Sequence, residues 1–326
     1  MNRKRIVASV VLMLALVASL AVLAACSQPQ QSSSSKETLE VSDQVSKMES
    51  EDPFYVLIIG NDSRKGTTEI NKRNYADGTG RSDTIMMARV DPRNYQITLL
   101  TNPRDTQDTI DGTNVKINER YRQQGAEGLM DAVEGLTGVR PKYYISTTFV
   151  GFEDLVDKMG GLKIYVPYDQ SMTDIVSGKK IEFSAGEQEL NGAETLVLAR
   201  ERKKYNSLSS IGGEPYRQSN DRVIVETMIK QILSNASTAG DVTRSLLTFC
   251  ETNWDTGDLV ATVEYFADGA DKLTFQDGTG PYEGDIDATT GEWLAYRDED
   301  TWSAIIAKVE EGGDPKEIVP VLSLYE

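Results

Sequence analysis

The sequence predicts an α/β or α+β sandwich around a mixed β-sheet, and three features carry that expectation. Phe54–Ile59 is an unbroken apolar run ending in Gly60, as in a central strand covered on both faces. Ile85–Val90 and Gln96–Leu100 are two more β-type runs, and Asp91-Pro92-Arg93-Asn94 between them supplies hairpin-turn chemistry. Further along, strand-like and helix-like segments alternate, which layers helices against a sheet.

Gly125–Thr137 has helical spacing through Leu129, Val133 and Leu136, with Gly138 as a C-terminal stop. Tyr143–Ser146 reads as a strand, Phe149–Met159 as a helix, and Leu162–Val166 as a strand after the Gly160-Gly161 turn. Ala193–Ala199 and Val223–Leu233 read as helices. From Asp258 the tail mixes a short helix, a short strand and a last helix, Thr301–Val309. In the weakly patterned, acidic stretch from about Asp241, Trp254, Trp293 and Trp302 are expected core anchors, and that stretch receives no function. With no internal repeat and no second linker, residues 53–326 read as one domain.

Ahead of it lie an address and a tether. Met1-Asn2-Arg3-Lys4-Arg5 is basic, Ile6–Leu23 is almost wholly apolar, and Leu23-Ala24-Ala25-Cys26 reads as a lipobox with Cys26 as the acylated residue. The other reading is an uncleaved transmembrane helix, since the apolar run just suffices to span a bilayer. Either places the remainder outside the cytoplasm. Residues 27–52 are rich in Ser, Gln and acidic groups and read as a flexible tether.

Composition narrows the chemistry. The chain has no histidine, which removes Ser–His–Asp and Cys–His catalysis and histidine-ligated zinc. Carboxylates, Arg, Lys, Tyr, Ser or an oxygen-held hard cation must suffice. The lone Cys250 reads as a small buried hydrophobe rather than a reactive thiol. A net charge of −17 disfavours nucleic acid as a partner, so any polyanionic ligand needs locally concentrated cations.

Such concentrations occur in loops beside strands. They are Gly60-Asn61-Asp62-Ser63-Arg64, Arg81-Ser82-Asp83-Thr84, Asn102-Pro103-Arg104-Asp105-Thr106, Arg200-Glu201-Arg202 and the run Arg217–Arg222. The guanidinium fork suits phosphate oxygens, and neighbouring carboxylates suit Mg²⁺ completed by phosphate and water. Repeated Arg–Asp pairs therefore fit either a diphosphate–Mg²⁺ site or plain surface ion pairing.

At these residues the chain resembles the LytR–CpsA–Psr family of cell-wall glycopolymer transferases, over roughly residues 54–235 and less clearly in the tail. The resemblance rests on Leu57–Asp62, Arg81–Thr84, Pro103–Thr106, Lys116-Ile117-Asn118 with Tyr121, Phe152–Gly161, Val166-Pro167, Gly186–Ala193 and Arg200–Arg202, in that order. It implies an α/β/α sandwich with an apolar groove for a polyprenyl chain, Phe149–Met159 and Val223–Leu233 being candidate walls. It also implies Asp62 and Asp83 beside Mg²⁺ (or Mn²⁺), and Arg81, Arg104, Arg200, Arg202 and Arg217 on a pyrophosphate. Arg222 joins them as a candidate. Three departures stand out: a lipobox in place of the transmembrane helix, an insertion over residues 64–80, and Asn220-Asp221 after the late arginine.

The implied activity is extracytoplasmic transfer of a phosphoglycan, such as teichoic acid or capsule, from a polyprenyl pyrophosphate carrier to peptidoglycan. The expected anchor is the lipid on Cys26. Asp83, Arg104 and Asp105 are the catalytic candidates, Asp83 or Asp105 as base, with Asp105 equally suited to orienting Arg104. The alternatives are a non-catalytic polyprenyl-phosphate-binding regulator of wall assembly and a solute-binding lipoprotein.

Overall fold

A computed structural model describes residues 48, 50–68 and 80–325. The lipobox with Cys26, most of the tether and residues 69–79 of the insertion lie outside the described residues. Six strands form the main sheet. β1 (Phe54–Asn61), β2 (Ser82–Asp91) and β3 (Gln96–Thr101) are an antiparallel meander. Its second turn is closed by Asp91, whose carboxylate accepts from the Asn94 backbone (3.1 Å), the Asn94 amide (2.9 Å) and Arg89 (3.1 Å).

A small hairpin, β4 (Gln107–Ile110) and β5 (Thr113–Lys116), leads into helix α1 (Asn118–Thr137). β6 (Tyr143–Thr148) runs parallel to β1, and α2 (Phe149–Lys158) follows it directly. Next come β7 (Leu162–Val166), the β8 (Gln170–Thr173)–β9 (Lys180–Phe183) hairpin, and β10 (Gly186–Leu190) paired with β7. Helices α3 (Gly192–Arg200), α4 (Glu214–Leu233) and α5 (Ala236–Leu246) then precede β11 (Glu251–Thr252) and α6 (Thr256–Asp268). β12 (Thr274–Thr279), the β13 (Gly284–Ile286)–β14 (Trp293–Ala295) hairpin and α7 (Glu299–Glu310) complete the chain.

Strand order is β11-β6-β1-β2-β3-β12, a mixed sheet. Tyr55, Leu57 and Ile59 of β1 pack with Ile85, Met87 and Leu100 against α1 and α7, through Leu129, Val133, Trp302 and Ile305. A second apolar cluster joins β7, α2, α3 and α4 through Leu162, Ile164, Val156, Leu198 and Ile224. The expected fold class is therefore the observed one: a mixed central sheet with helical layers.

Two helices begin earlier than their apolar spacing predicts. α1 starts at Asn118 and breaks its helical backbone at Gly125 (φ 68°, ψ −164°), the residue where the apolar stripe begins. α4 starts at Glu214, so Arg217–Arg222 is helical rather than a loop. In both, the missed turns make ion pairs, through Glu119 and Arg120 in α1 and Glu214 and Arg217 in α4, and carry only one tyrosine each toward apolar groups, so no apolar period marks them. Of the three tryptophans, Trp254 and Trp302 are buried core residues, whereas Trp293 lines a cavity. Cys250 is partly buried, and burial pushes its thiol up to about 11, in keeping with an inert side chain.

The approach of α2 to α3 depends on Gly192. Asn191 and Glu194 form a reciprocal capping box, and the Gly192 N–H donates to Asp157 (2.7 Å). A Cβ at Gly192 would collide with the backbone of Glu153 in α2. Gly192→Ala should therefore cost about 2 kcal/mol by overpacking, whereas alanine in an ordinary helical position gains up to about 1 kcal/mol. Urea denaturation measures it, and a stabilised variant would overturn this account of the α2–α3 contact.

Candidate functional site

The directions of the strands bring four loops to one rim. β1, β3, β6 and β12 end there and β2 begins there. A cavity of about 610 Å³ opens at this rim. It gathers Asp62, Arg81, Asp83, Arg104, Asp105, Arg200, Arg202 and Arg217, which lie far apart in the chain. Arg64, Lys116 and Asp221 also line it.

Local geometry fixes the acidic side. The register of β1 with β2 shifts at Gly60/Asn61, releasing Asp62 from the ladder. The Asp62 N–H donates to the Arg81 carbonyl (2.9 Å), and the Arg81 N–H donates back to Asp62 Oδ1 (2.7 Å). This crossing needs Gly80, because a Cβ there would overlap the backbone of Asp62 and Ser63. Burial and then the negative charge of Asp83 raise the Asp62 carboxyl above the usual range. Among the described residues no three or more carboxylate, cysteine or histidine side chains gather as a metal site. What the cavity offers a cation is the mutually repelling pair Asp62 and Asp83. Two carboxylates suit Mg²⁺ when phosphate oxygens and water complete the shell.

The basic side is held by buried anions. Arg104 Nη1 donates to Asp83 (2.8 Å) and Nη2 to Glu214 (3.1 Å). Arg217 spends its fork on protein groups: Nε and Nη2 on Glu214 (3.0 and 2.6 Å), Nη1 on Asp221 (2.7 Å), and Nη2 on the Asp83 carbonyl (3.0 Å). Burial pushes Glu214 up, but Arg217 and Arg104 override it and hold its carboxyl down to about 2. Asp221, fully enclosed, is raised to about 6 by burial despite Arg217 and the Thr84 hydroxyl that donates to it (2.8 Å).

Of the remaining cations, Arg81 and Arg202 are half-exposed and Arg64 is buried. Arg81 donates to Glu119 (2.6 Å) with its side chain 43% exposed, and Arg202, 50% exposed, lies 3.7 Å from Glu214. Arg64 and Arg200 each place a guanidinium 5.2 Å from the Phe149 ring centroid. Arg64 is buried, 3.5 Å from Asp62, and among the described residues its Nε and Nη1 have no hydrogen-bond partner. Such orphaned donors are costly unless a ligand meets them.

Arg222, a candidate for the same cluster, does not reach the cavity. Its Nε donates to Asp277 of β12 (2.9 Å) and its Nη1 to Thr101 of β3 (3.0 Å), so it ties α4 to the sheet. Five residues, about 1.4 helix turns, separate it from Arg217, so the two side chains leave different faces of α4. Asp105 does line the cavity, with Oδ1 on Lys116 (2.7 Å) and Oδ2 accepting from Tyr282 (3.1 Å). Sequence reasoning missed Glu214, Tyr282 and Trp293 as cleft residues, and named Arg64 only within the first Arg–Asp loop. Glu214, Arg217 and Asp221 stand at helical i, i+3, i+7 spacing, a signal hidden by starting α4 too late.

One end of the cavity is apolar, with Phe149 and Phe152 of α2, Leu196 and Ala199 of α3, and Ile224 and Val225 of α4. Both helices expected as walls contribute. The whole is an amphipathic cleft with an arginine-rich middle.

Two relatives, one of them also a solved structure, are similar to this chain. It is 32% identical over 166 residues to the polyisoprenyl-teichoic acid–peptidoglycan teichoic acid transferase TagV of Bacillus subtilis, covering 49% of this chain and 41% of that one. It is 36% identical over 184 residues to the TagU transferase of the same description from Halalkalibacterium halodurans, covering 56% and 54%. The match thus spans about half the length of these two relatives. The crystal structure of B. subtilis TagV superposes over 83% of this chain and 98% of that one, with a TM-score of 0.62 at 23% identity, a likeness of fold. The model of the LytR_cpsA_psr family matches residues 21–300, and this protein accordingly belongs to that family.

Proposed function

We propose that this protein transfers a phosphoglycan from a polyprenyl pyrophosphate carrier to peptidoglycan on the outer face of the membrane, held there by the lipidated Cys26. The observation that carries this reading is one cleft in a protein of net charge −17 that concentrates arginines, with the Asp62–Asp83 pair among them, beside an apolar wall. That arrangement suits a ligand with a diphosphate at its middle and a hydrocarbon chain at one end. Support also comes from the names of the relatives, which act on teichoic acid and peptidoglycan.

Asp62 and Asp83 would hold Mg²⁺ or Mn²⁺, whose charge would offset that of the diphosphate. Arg104, Arg81, Arg200 and Arg202 bind the phosphate oxygens and neutralise the leaving group, and Arg64 adds unspent donors on the apolar side. The acceptor hydroxyl oxygen bonds to the sugar-bearing phosphorus. The bond from that phosphorus to the bridging oxygen breaks, and polyprenyl phosphate departs. Asp83 has one oxygen on Arg104 and would give the other to the cation, so the hydroxyl proton passes to the departing polyprenyl phosphate. Asp105 has both oxygens engaged and therefore orients Lys116 and Tyr282. Arg217, with its fork spent on protein groups, positions Glu214, Asp221 and the Asp83 backbone.

The purified protein, a prenyl-pyrophosphate-linked sugar, peptidoglycan oligomers and Mg²⁺ should yield a phosphosugar–peptidoglycan adduct by mass spectrometry. Arg104→Ala should lower the yield by at least about a hundredfold with the fold intact. Undiminished transfer in that variant would sink the assignment. Lipid that binds without reacting would instead indicate a regulatory binder.

Glu214 makes a separate pH prediction. Its carboxyl is held below its ordinary 4.5, so the folded state binds fewer protons than the unfolded state between about 4.5 and 2. The stabilisation is full above 4.5 and is lost as pH falls through about 2. Glu214→Gln should therefore cost roughly 3 kcal/mol at pH 7 and progressively less toward pH 2. Urea titrations at pH 7 and pH 3 measure the difference, and a pH-independent cost would contradict it.

A further inference from the structure

We propose that Trp293 and Tyr282, with the side-chain oxygen of Asn118, form a pyranose-binding subsite at the β12 end of the cleft. This rests on the diphosphate reading of the centre.

Position along the rim is the first reason. The apolar wall at Phe149 follows β6, and Tyr282 follows β12, with β1, β2 and β3 between. Four strand spacings separate the two ends by roughly 19 Å. Asp62, Asp83 and Arg104 stand at the ends of the intervening strands. The cleft therefore changes character in order: apolar, charged, aromatic and polar.

Chemistry is the second. Trp293 is half-buried and lines the cleft, its ring 5.2 Å from that of Tyr282 at a 40° tilt. Both are anchored at other atoms. The Tyr282 hydroxyl donates to Asp105 (3.1 Å), and the Ala295 N–H, two residues past Trp293, donates to the Asp105 carbonyl (2.9 Å). Gly284 allows β13 to lie against β14, since a Cβ there would strike the Leu294 carbonyl. Asn118 flanks the same loop, its N–H donating to the Arg104 carbonyl (3.2 Å). The residue is 5% exposed, and among the described residues its Oδ1 has no hydrogen-bond partner.

A buried acceptor of this kind awaits a donor. A hydrocarbon chain brings none, and a diphosphate would be repelled by it. The pairing of Asp105 with Lys116 leaves this end without a surplus of positive charge. A pyranose offers both required parts, a C–H face for an aromatic ring and hydroxyl donors at its edge. The ring could belong to the glycan on the diphosphate or to the acceptor strand.

The test compares wild type, Trp293→Phe and Trp293→Leu. Each is titrated with a short prenyl diphosphate, with the same lipid bearing one N-acetylglucosamine, and with a soluble glycan-strand fragment added to the sugar-free complex. Wild type should gain about tenfold in affinity from the sugar, the scale of one aromatic contact. Trp293→Leu should lose that gain while binding the sugar-free lipid normally, and Trp293→Phe should keep it. If Trp293→Leu weakens only the glycan fragment, the bound ring is the acceptor's, and the subsite still stands. Equal weakening toward both lipids, or no sugar-dependent gain in any arm, overturns the subsite but not the diphosphate reading. Failure of wild type to bind either lipid overturns both.

Discussion

The cleft depends on a carboxylate that sequence reading passed over. Guanidinium groups crowded at one rim repel one another, and a folded protein tolerates this without a ligand only when buried anions lie among them. Glu214 is that anion. It sits in the first turn of α4, where acidic groups are favoured, and receives Arg104 and Arg217 while lying 3.7 Å from Arg202. Because these bonds exist before any substrate arrives, the Arg104 fork is already oriented, which lowers the ordering cost of binding. The same bonds fix α4 against β2 and β3, so site and fold share one set of contacts.

This changes what the arginines are for. Counting loop arginines treats them as equivalent, but their surroundings grade them. Arg217 is saturated by protein groups and Arg222 is a strut between α4 and the sheet. Arg104 is shared between Asp83 and Glu214, whereas Arg81 and Arg202 stand at the exposed lip. A polyanion entering the cleft would meet the half-exposed lip arginines first and the enclosed ones deeper in. An overall charge of −17 does not oppose this, because screening confines exposed charges to about 8–10 Å while the buried cluster acts locally.

Apolar patterning made the scaffold legible. The β1 run, the β2–β3 hairpin and the stripes of α1 and α2 all bury hydrocarbon and keep its period. Legibility failed where burial is polar. Asn118–Gln124 and Glu214–Arg222 carry no apolar stripe because their partners are Glu, Asp and Arg, so both helices read short and Arg217–Arg222 read as a loop. Loop position and the order of family motifs singled out Asp62, Arg81, Asp83, Arg104, Asp105, Arg200 and Arg202, which the fold brings to one cleft. Glu214 was not singled out, because its role appears only once the helix places it one turn from Arg217. Arg222 was misplaced for the same reason, since side-chain direction on a helix is set by phase rather than by nearness in sequence.

The tail shows the same limit from the other direction. Its weak patterning suggested core anchors and nothing more, and two of its tryptophans are that. Sheet topology decides the third. β12 adds to the sheet parallel to β3, so its C-terminal end must arrive at the rim where β3 ends. Whatever follows β12 is delivered to the cleft, and the β13–β14 hairpin is held there by its contacts with Asp105 and Thr106. Tyr282 and Trp293 thus belong to the site through a strand pairing formed 178 residues apart in sequence. No local pattern encodes such a pairing, and the chemistry of the tail becomes visible only after the sheet is assembled.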